Sequence, residues 1–255
     1  MLERPSYGLD AARYQRSRPV YPDAFMDWLA SEAPLPHDLA IDVGAGTGQA
    51  TMGLLTRFAR VLAIEPDRAM AQLLPICDRL QTVLGAAESA DAPAASASLV
   101  VAASALHWFD AGRALPRIAG WLRPKGAFAA FSYAPIRVHH PYGAGEIIER
   151  AISRWRQHQD ARIRLSRSAV DILRDFSGFR DARPFHRADD HAWTAAELAS
   201  FLGTTAAAGV YARATQDGAG SVEAEVDRLT QDLDQVAYGA KLDLTLMIEG
   251  AIAFV

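Results

Sequence analysis

Cysteine is almost missing from this chain of 255 residues: Cys77 is the only one. That excludes an intrachain disulfide and any metal site built from several thiolates, and it suits a reducing, cytoplasmic setting. Positive charge is not in excess either, with 26 Lys and Arg against 30 Asp and Glu and a net charge of −4. The overall field therefore gives no reason to expect nucleic acid or an anionic membrane as partner, and a small molecule is expected instead. Long apolar runs are lacking. Met1 to Asp10 carries Glu3 and Arg4 and has no apolar centre, unlike a signal peptide. The uncharged stretch Ala92 to Phe109 is mostly Ala and Ser with one Pro, too polar and too short to favour a bilayer. No internal repeat is evident. His139 and His140 have no acidic or thiol residues beside them, so no metal site is expected. What is present is apolar substance: 50% of residues are hydrophobic and only 22% charged, outside the disordered regime and sufficient for one large domain.

From Leu39 to Phe131, short β-rich runs alternate with helical ones, which is the pattern of βαβ units and a parallel sheet. Leu39 to Val43 reads as a first strand, followed by a helix in which Ala50, Leu54 and Phe58 recur at i, i+4 and i+8. Val61 to Ile64 is a second strand. A short helix from Asp67 would bury Met70, Leu73 and Leu74 before Pro75 stops it. Gln81 to Leu84 is a third strand, and Leu99 to Ala103 and Ala127 to Phe131 lack polar alternation, as central strands covered on both faces do. The helix between those two, near Ala111 to Leu122, ends at the turn signal Arg123-Pro124-Lys125-Gly126. Further on, Glu146 to His158 stacks Ile147, Ile148, Ala151, Ile152 and Trp155 on one face. Thr194 and Glu197 make a capping box at a helix start, with Trp193 and Leu198 as its staple. Val222 to Val236 is a further helix, and the runs around Phe185 and from Leu242 to Val255 are expected to add strands at the sheet edge. The expectation is thus an α/β, doubly wound, mostly parallel seven-stranded sheet with a helical cap inserted after the fifth strand. Residues 1–36 would be an N-terminal helical lid, 37–135 the α/β core, and 136–255 the cap with the edge strands.

The most specific motif is Asp42-Val43-Gly44-Ala45-Gly46-Thr47-Gly48, at the junction of the first strand and helix, where open α/β sheets bind ligands. A dinucleotide fingerprint would place its third glycine five positions after the first, but position 49 is Gln. Asp42 argues the same way, since a carboxylate there disfavours a pyrophosphate and suits an ammonium or sulfonium. Glu65 ends the second strand, where an acidic side chain accepts hydrogen bonds from a ribose diol, and Pro66 offers a rigid apolar edge to an adenine.

This constellation resembles the class I S-adenosylmethionine-dependent methyltransferases, whose first motif is D-x-G-x-G-x-G and whose second strand ends in an acidic residue. Ala87-Glu88 follows the third strand where that family has its adenine-binding turn, and Ala103 to Phe109 follows the fourth, where methyl donor and acceptor meet. Tyr14, Arg18-Pro19-Val20-Tyr21-Pro22, Ser104 to Phe109 and Leu202-Gly203-Thr204-Thr205 look like the trans-aconitate methyltransferase-like (methyltransferase type 11) branch, which methylates carboxylates of small acids. The resemblance implies S-adenosylmethionine as cofactor. It also implies Tyr14, Arg18, Asp42, Gly44, Ala45, Gly46 and Thr47 as its binding residues, together with Glu65, Pro66, Ala87, Glu88, Ala103 and Ser104. Ala86 and Ser98 depart from the family by standing where relatives carry Asp.

A carboxylate acceptor is already ionised at pH 7 and needs no general base, whereas a phenol, with a pKa near 10, would benefit from one. His107 is the candidate catalytic residue, as a base for the second chemistry or a positioning group for the first. Tyr7, Tyr14, Arg18 and Tyr21 are expected to close over the cofactor. The arginines 150, 154, 156, 162, 164 and 167 read mainly as a solvated helix face. Three rivals stay open: methylation of a natural product or other metabolite, a dinucleotide oxidoreductase, and a cofactor-binding protein without catalysis.

Overall fold

The computed structural model describes residues 11–157, 167–215 and 221–255. Tyr7, His158, Arg162 and Arg164 lie outside the described residues. The chain opens with helices α1 (Ala11–Ser17) and α2 (Asp23–Glu32), then enters the alternation read from the sequence. Strand β1 (Leu39–Val43) leads to α3 (Gln49–Leu55), β2 (Arg60–Glu65), the short α4 (Arg68–Ala71) and β3 (Leu80–Leu84). Then come β4 (Ala97–Ala103), a 3-10 turn (Leu106–Trp108), α5 (Ala111–Trp121) and β5 (Leu122–His140). After β5 follow α6 (Ala144–Arg156), α7 (Ala169–Asp175), β6 (Arg180–Trp193), α8 (Ala195–Gly203), α9 (Ala206–Ala214), α10 (Val222–Ala237) and β7 (Leu242–Phe254). Among the described residues no helix is long and apolar enough to cross a membrane.

The strand order is β3-β2-β1-β4-β5-β7-β6, with parallel pairing from β3 through β5 and β7 antiparallel to both neighbours. This is the doubly wound, mostly parallel seven-stranded sheet expected. Ile41 faces Leu62 on one side and Val100 on the other, and Val100 faces Phe128. Every residue of β1 is buried, Asp42 included, and β4 is buried from Ala97 through Ala102, as the absence of polar alternation in Leu99 to Ala103 required. One apolar layer forms between the sheet and α5 with α7, around Ile41, Ile118, Phe128 and Leu173. A second forms against α2 and α3, around Phe25, Leu29, Leu54 and Val101. A third gathers Trp155, Leu198, Phe201 and Leu233 over Leu242, Leu244 and Leu246 of β7.

Two local readings change. Asp67 caps α4, its Oδ1 accepting from the Ala69 amide at 2.8 Å, but that helix is only four residues long and Leu73 is half-buried where a buried side chain was expected. The fifth strand was read as Ala127 to Phe131 yet extends from Leu122 to His140. The turn at Arg123 to Gly126 exists as a bulge inside it, Lys125 taking φ of 66° while the pairing jumps from Ala97↔Leu122 to Leu99↔Ala127. Beyond Phe131 the strand is long because β7 pairs with it through Asp243.

Candidate active site

The loop after β1 takes left-handed backbone at Gly44, Gly46 and Gly48, with φ of 72°, 58° and 96°. A Cβ on Gly44 would lie 2.6 Å from the Ala105 Cβ, so only glycine lets the loop approach the segment after β4. A Cβ on Gly46 meets nothing within 4 Å, because that face of the loop opens into a cavity. The Gly46 amide donates to Glu65 Oε2 at 2.7 Å, and the Asp67 amide donates to Glu65 Oε1 at 2.9 Å. Glu65 is therefore not a strand-end surface residue: it is buried and clasps the loop. Both oxygens were expected to serve a ribose diol, and each already accepts one backbone N–H.

Asp42 lies fully buried beneath the loop. Its Oδ2 accepts from Thr51 Oγ1 at 2.6 Å, while Oδ1 is buried without a hydrogen-bond partner. Burial pushes its carboxyl up to about 7, helped by the nearby Glu65 charge and opposed by the Thr51 hydrogen bond. An orphaned acidic oxygen under an open glycine cradle suits a ligand that brings a positive charge close by.

The cavity has a volume of about 1310 Å³, above the ~300–1,000 Å³ usual for one small-molecule site. Of the residues singled out in the sequence, Gly44, Ala45, Gly46, Glu65, Pro66 and Ala87 line its β1–β2 side. Ala103, Ser104 and His107 line it at the end of β4, and Tyr14 and Arg18 from above. Asp42, Thr47 and Glu88 do not line it. The Thr47 hydroxyl donates to Gln49 Oε1 at 3.0 Å, and Glu88 Oε1 accepts from the Asp110 amide at 2.8 Å, tying the turn after β3 to the start of α5. Ser104 takes φ of 54°, a left-handed conformation rare for serine, as its amide donates to the Phe131 carbonyl at 2.6 Å. Ser98, one of the two departures, sits within β4 and donates to the Pro36 carbonyl at 3.1 Å.

His107 stands in the 3-10 turn with its ring 4.9 Å from that of Trp108. Its side chain is exposed to the cavity, and desolvation by the surrounding wall, with the Arg18 charge adding to it, draws its imidazole down to about 4. The ring is neutral at pH 7. Arg18 donates from Nε to Thr204 Oγ1 at 2.7 Å, and its guanidinium lies 5.1 Å from the Tyr14 ring centroid and 5.0 Å from that of Phe201. With Arg13 paired to Glu223 at 2.9 Å and Gln15 donating to the Leu73 carbonyl at 2.9 Å, α1 is strapped to α8, α10 and the core together. Tyr21 is buried and stacks on Tyr133, centroids 4.8 Å apart and rings 7° from parallel. Tyr133 donates to Asp189 Oδ2 at 3.1 Å.

The sequence reading missed the outer wall. Gly145, Ile148, Glu149, Ile152, Ser153 and Arg156 of α6 all line the cavity, as do Ile136, Arg137 and Val138 of the β5 extension. Of the described arginines, Arg150, Arg156 and Arg167 are exposed as a solvated face requires, whereas Arg154 is half-buried and pairs with the buried Glu225, and Arg156 also borders the cavity. The signal was available as positions 145, 148, 149, 152, 153 and 156, one stripe of a helix.

Residues 41–130 match the methyltransferase domain family. A methyltransferase of Mycobacterium tuberculosis is 37% identical over 122 residues, covering 48% of this chain and 49% of the relative. A Dictyostelium discoideum protein named as a methyltransferase is 33% identical over 132 residues, covering 52% of this chain and 50% of the relative. In both, the match spans about half of the relative's own length. A solved structure named as a type II methyltransferase, from Anaeromyxobacter dehalogenans, superposes with a TM-score of 0.72 at 26% identity, covering 93% of this chain and 97% of its own. The glycine cradle, the orphaned Asp42 oxygen and the acidic end of β2 fit the group that this family carries. The matched region is a class I S-adenosylmethionine-dependent methyltransferase domain, and S-adenosylmethionine is its cofactor.

Proposed function

We propose that the protein transfers a methyl group to a carboxylate oxygen of a small molecule. The observation that carries this reading is Arg18, fixed by Thr204 Oγ1 at 2.7 Å with its guanidinium on the cavity wall, a cationic partner for an acid close enough to act on His107. A carboxylate has no proton to give up and needs no base, whereas a phenol of pKa near 10 would need one. When bound, S-adenosylmethionine supplies an electrophilic methyl: the acceptor oxygen forms the new C–O bond as the C–S bond breaks, the electron pair stays on sulfur, and no proton moves. The chain's own task is alignment. Gly44 to Gly46 and Glu65 would hold the cofactor, Ala87 and Pro66 would border its adenine, and the buried Asp42 would offset its positive charge from beneath the loop. Arg18, fixed by Thr204, turns positive charge toward the space above the loop, and neutral His107 with Ser104 borders the acceptor.

Glu65→Ala removes the clasp on the Gly46 amide and the acceptor for a ribose diol, so S-adenosylhomocysteine should bind about ten- to a hundredfold more weakly by calorimetry, with the fold intact. An unchanged dissociation constant would take Glu65 out of the cofactor site.

His107→Gln should lower kcat/KM by less than about tenfold, against the 10²–10⁴ expected for loss of a general base. Because the folded-state pKa is depressed, the wild-type imidazole is already neutral throughout pH 6–8, and the profile there should show no limb from it. A screen with labelled methyl donor over acids, phenols and amines tests the class directly. Turnover confined to phenols or amines, with a basic limb that His107→Gln abolishes, would overturn the carboxylate reading.

A further inference from the structure

The outer wall of the cavity has a direction. Strand β5 runs nine residues past Phe131, which pairs with Ala103 at the glycine-loop end of the sheet, and α6 starts four residues after β5 ends at His140, which sets Gly145 away from the glycine loop. Its last turn is held at the other end: Trp155 Nε1 donates to Glu225 Oε2 at 2.8 Å, and Glu225 neighbours Glu223, the partner of Arg13 in α1. Arg156 therefore stands at the lid end. Between the two, Ile148, Ile152 and Arg156 follow one another at i, i+4 and i+8, and Gly145, which heads the adjoining row of Glu149 and Ser153, lies at i−3 from Ile148. The helix rises about 17 Å from Gly145 to Arg156. The cavity is lined as well by Ile136 and Val138 of β5 and by Phe201 and Leu202 of α8. Arg150 and Arg154 of the same helix are paired with Glu146 and Glu225, whereas Arg156 has no ion pair or hydrogen bond from its side chain among the described residues. The polar residues Glu149 and Ser153 occupy the neighbouring row and leave this one apolar up to its cationic end.

We propose that the methyl acceptor is a monocarboxylic acid with an extended apolar chain, its carboxylate at Arg156 under the lid and its chain running along Ile152 and Ile148 toward Gly145. This rests on the carboxylate reading above and adds the shape of the acid and the residues that measure it. Arg156 is the head-group partner, placing the reacting oxygen at the end of the cavity nearest the glycine loop. Gly145 is the stop. A side chain added there meets no atom within 4 Å, so it projects into free space at the far end instead of disturbing the helix.

The test is a series of straight-chain saturated acids, from acetate to tetradecanoate, followed both by methyl transfer and by calorimetric binding to the protein loaded with S-adenosylhomocysteine. Affinity and kcat/KM should rise by about two- to fourfold per added methylene and then level off. Gly145→Leu should move the plateau to shorter acids, and Arg156→Gln should weaken every acid by about tenfold or more at an unchanged length preference. A profile flat in chain length, or preference for short polycarboxylates, would overturn the apolar-chain assignment while leaving carboxylate methylation standing. A plateau unmoved by Gly145→Leu, or head-group binding indifferent to Arg156→Gln, would overturn the orientation. Failure of every acid in both assays, with a phenol or amine methylated instead, would overturn the carboxylate reading itself.

Discussion

Gly46→Val should abolish measurable S-adenosylhomocysteine binding, a loss of at least about a hundredfold, while the protein still folds. Two effects act together. The backbone at this position has φ of 58°, a region in which a β-branched residue is a genuine outlier and which costs an L side chain about 1–2 kcal/mol. The new side chain would also enter the open face of the loop, where an added Cβ meets no protein atom within 4 Å, which is the space the cofactor needs. Because the Gly46 amide is held by Glu65, relaxing the backbone strain would break the 2.7 Å hydrogen bond that sets the loop against β2. Gly46→Ala separates the contributions: it carries most of the strain with little of the bulk, so its affinity should fall between wild type and Gly46→Val. Both variants should unfold within a few degrees of wild type, since strain of this size at one loop residue shifts the midpoint of a chain this long by about 2–8 °C. Wild-type affinity in Gly46→Val would place the cofactor elsewhere.

The α/β half of this molecule was legible because each of its signals is local. Leu39 to Val43 and Leu99 to Ala103 are strands in apolar runs, the glycine loop must sit between strand and helix, and the Thr194–Glu197 capping box is closed in both directions, at 3.2 and 2.7 Å. What was not legible depends on partners distant in sequence. The extension of β5 past Phe131 contains Pro135, Arg137, His139 and His140, which read poorly as a strand, and it exists because β7, more than 100 residues later, supplies the other half of its hydrogen bonds. Glu65 announced a carboxylate at the right place, but its clasp on the Gly46 and Asp67 amides appears only once the loop is folded back. The acceptor wall failed for another reason. Ile148 and Ile152 do pack in one cluster with Trp155, as expected, but they also form the edge of that face and border the cavity. An apolar residue at the boundary of two faces carries no sign of whether its neighbour is protein or ligand.

The same helix is anchored by Glu225 of α10, which carries the largest expected effect on stability. Glu225 is 1% exposed, and its Oε2 accepts from Trp155 Nε1 at 2.8 Å and from Arg154 Nη2 at 2.5 Å, while Arg228 pairs with Oε1 at 2.8 Å. Burial alone would raise its carboxyl, but the hydrogen bonds from Trp155 and Arg154 and the two arginine charges outweigh it and hold it below 4.5. Glu225→Ala would leave the fully buried Trp155 indole N–H without an acceptor and two guanidinium groups facing each other. Removing one member of a buried charge cluster costs about 3–5 kcal/mol, and since Arg154 and Arg228 are 35% and 47% exposed and can turn to water, the lower end, about 3 kcal/mol, is expected here. That corresponds to a fall in Tm of about 6–12 °C for a chain of this length. Glu225→Gln, which keeps an acceptor for the indole, should lose less. The depressed pKa sets the pH dependence: the ionised form is favoured in the folded state, so the gap between wild type and Glu225→Ala is full at neutral pH and narrows as the pH falls below 4.5. Loosening the last turn of α6 also unseats Arg156 while leaving the glycine loop in place. Glu225→Ala should therefore weaken binding of a long-chain acid by about tenfold at a temperature where the variant is still folded, with S-adenosylhomocysteine affinity unchanged. Equal losses for both ligands would mean that the two ends of the cavity are not independent, and an unshifted Tm would mean that the Glu225 cluster does not hold the cap.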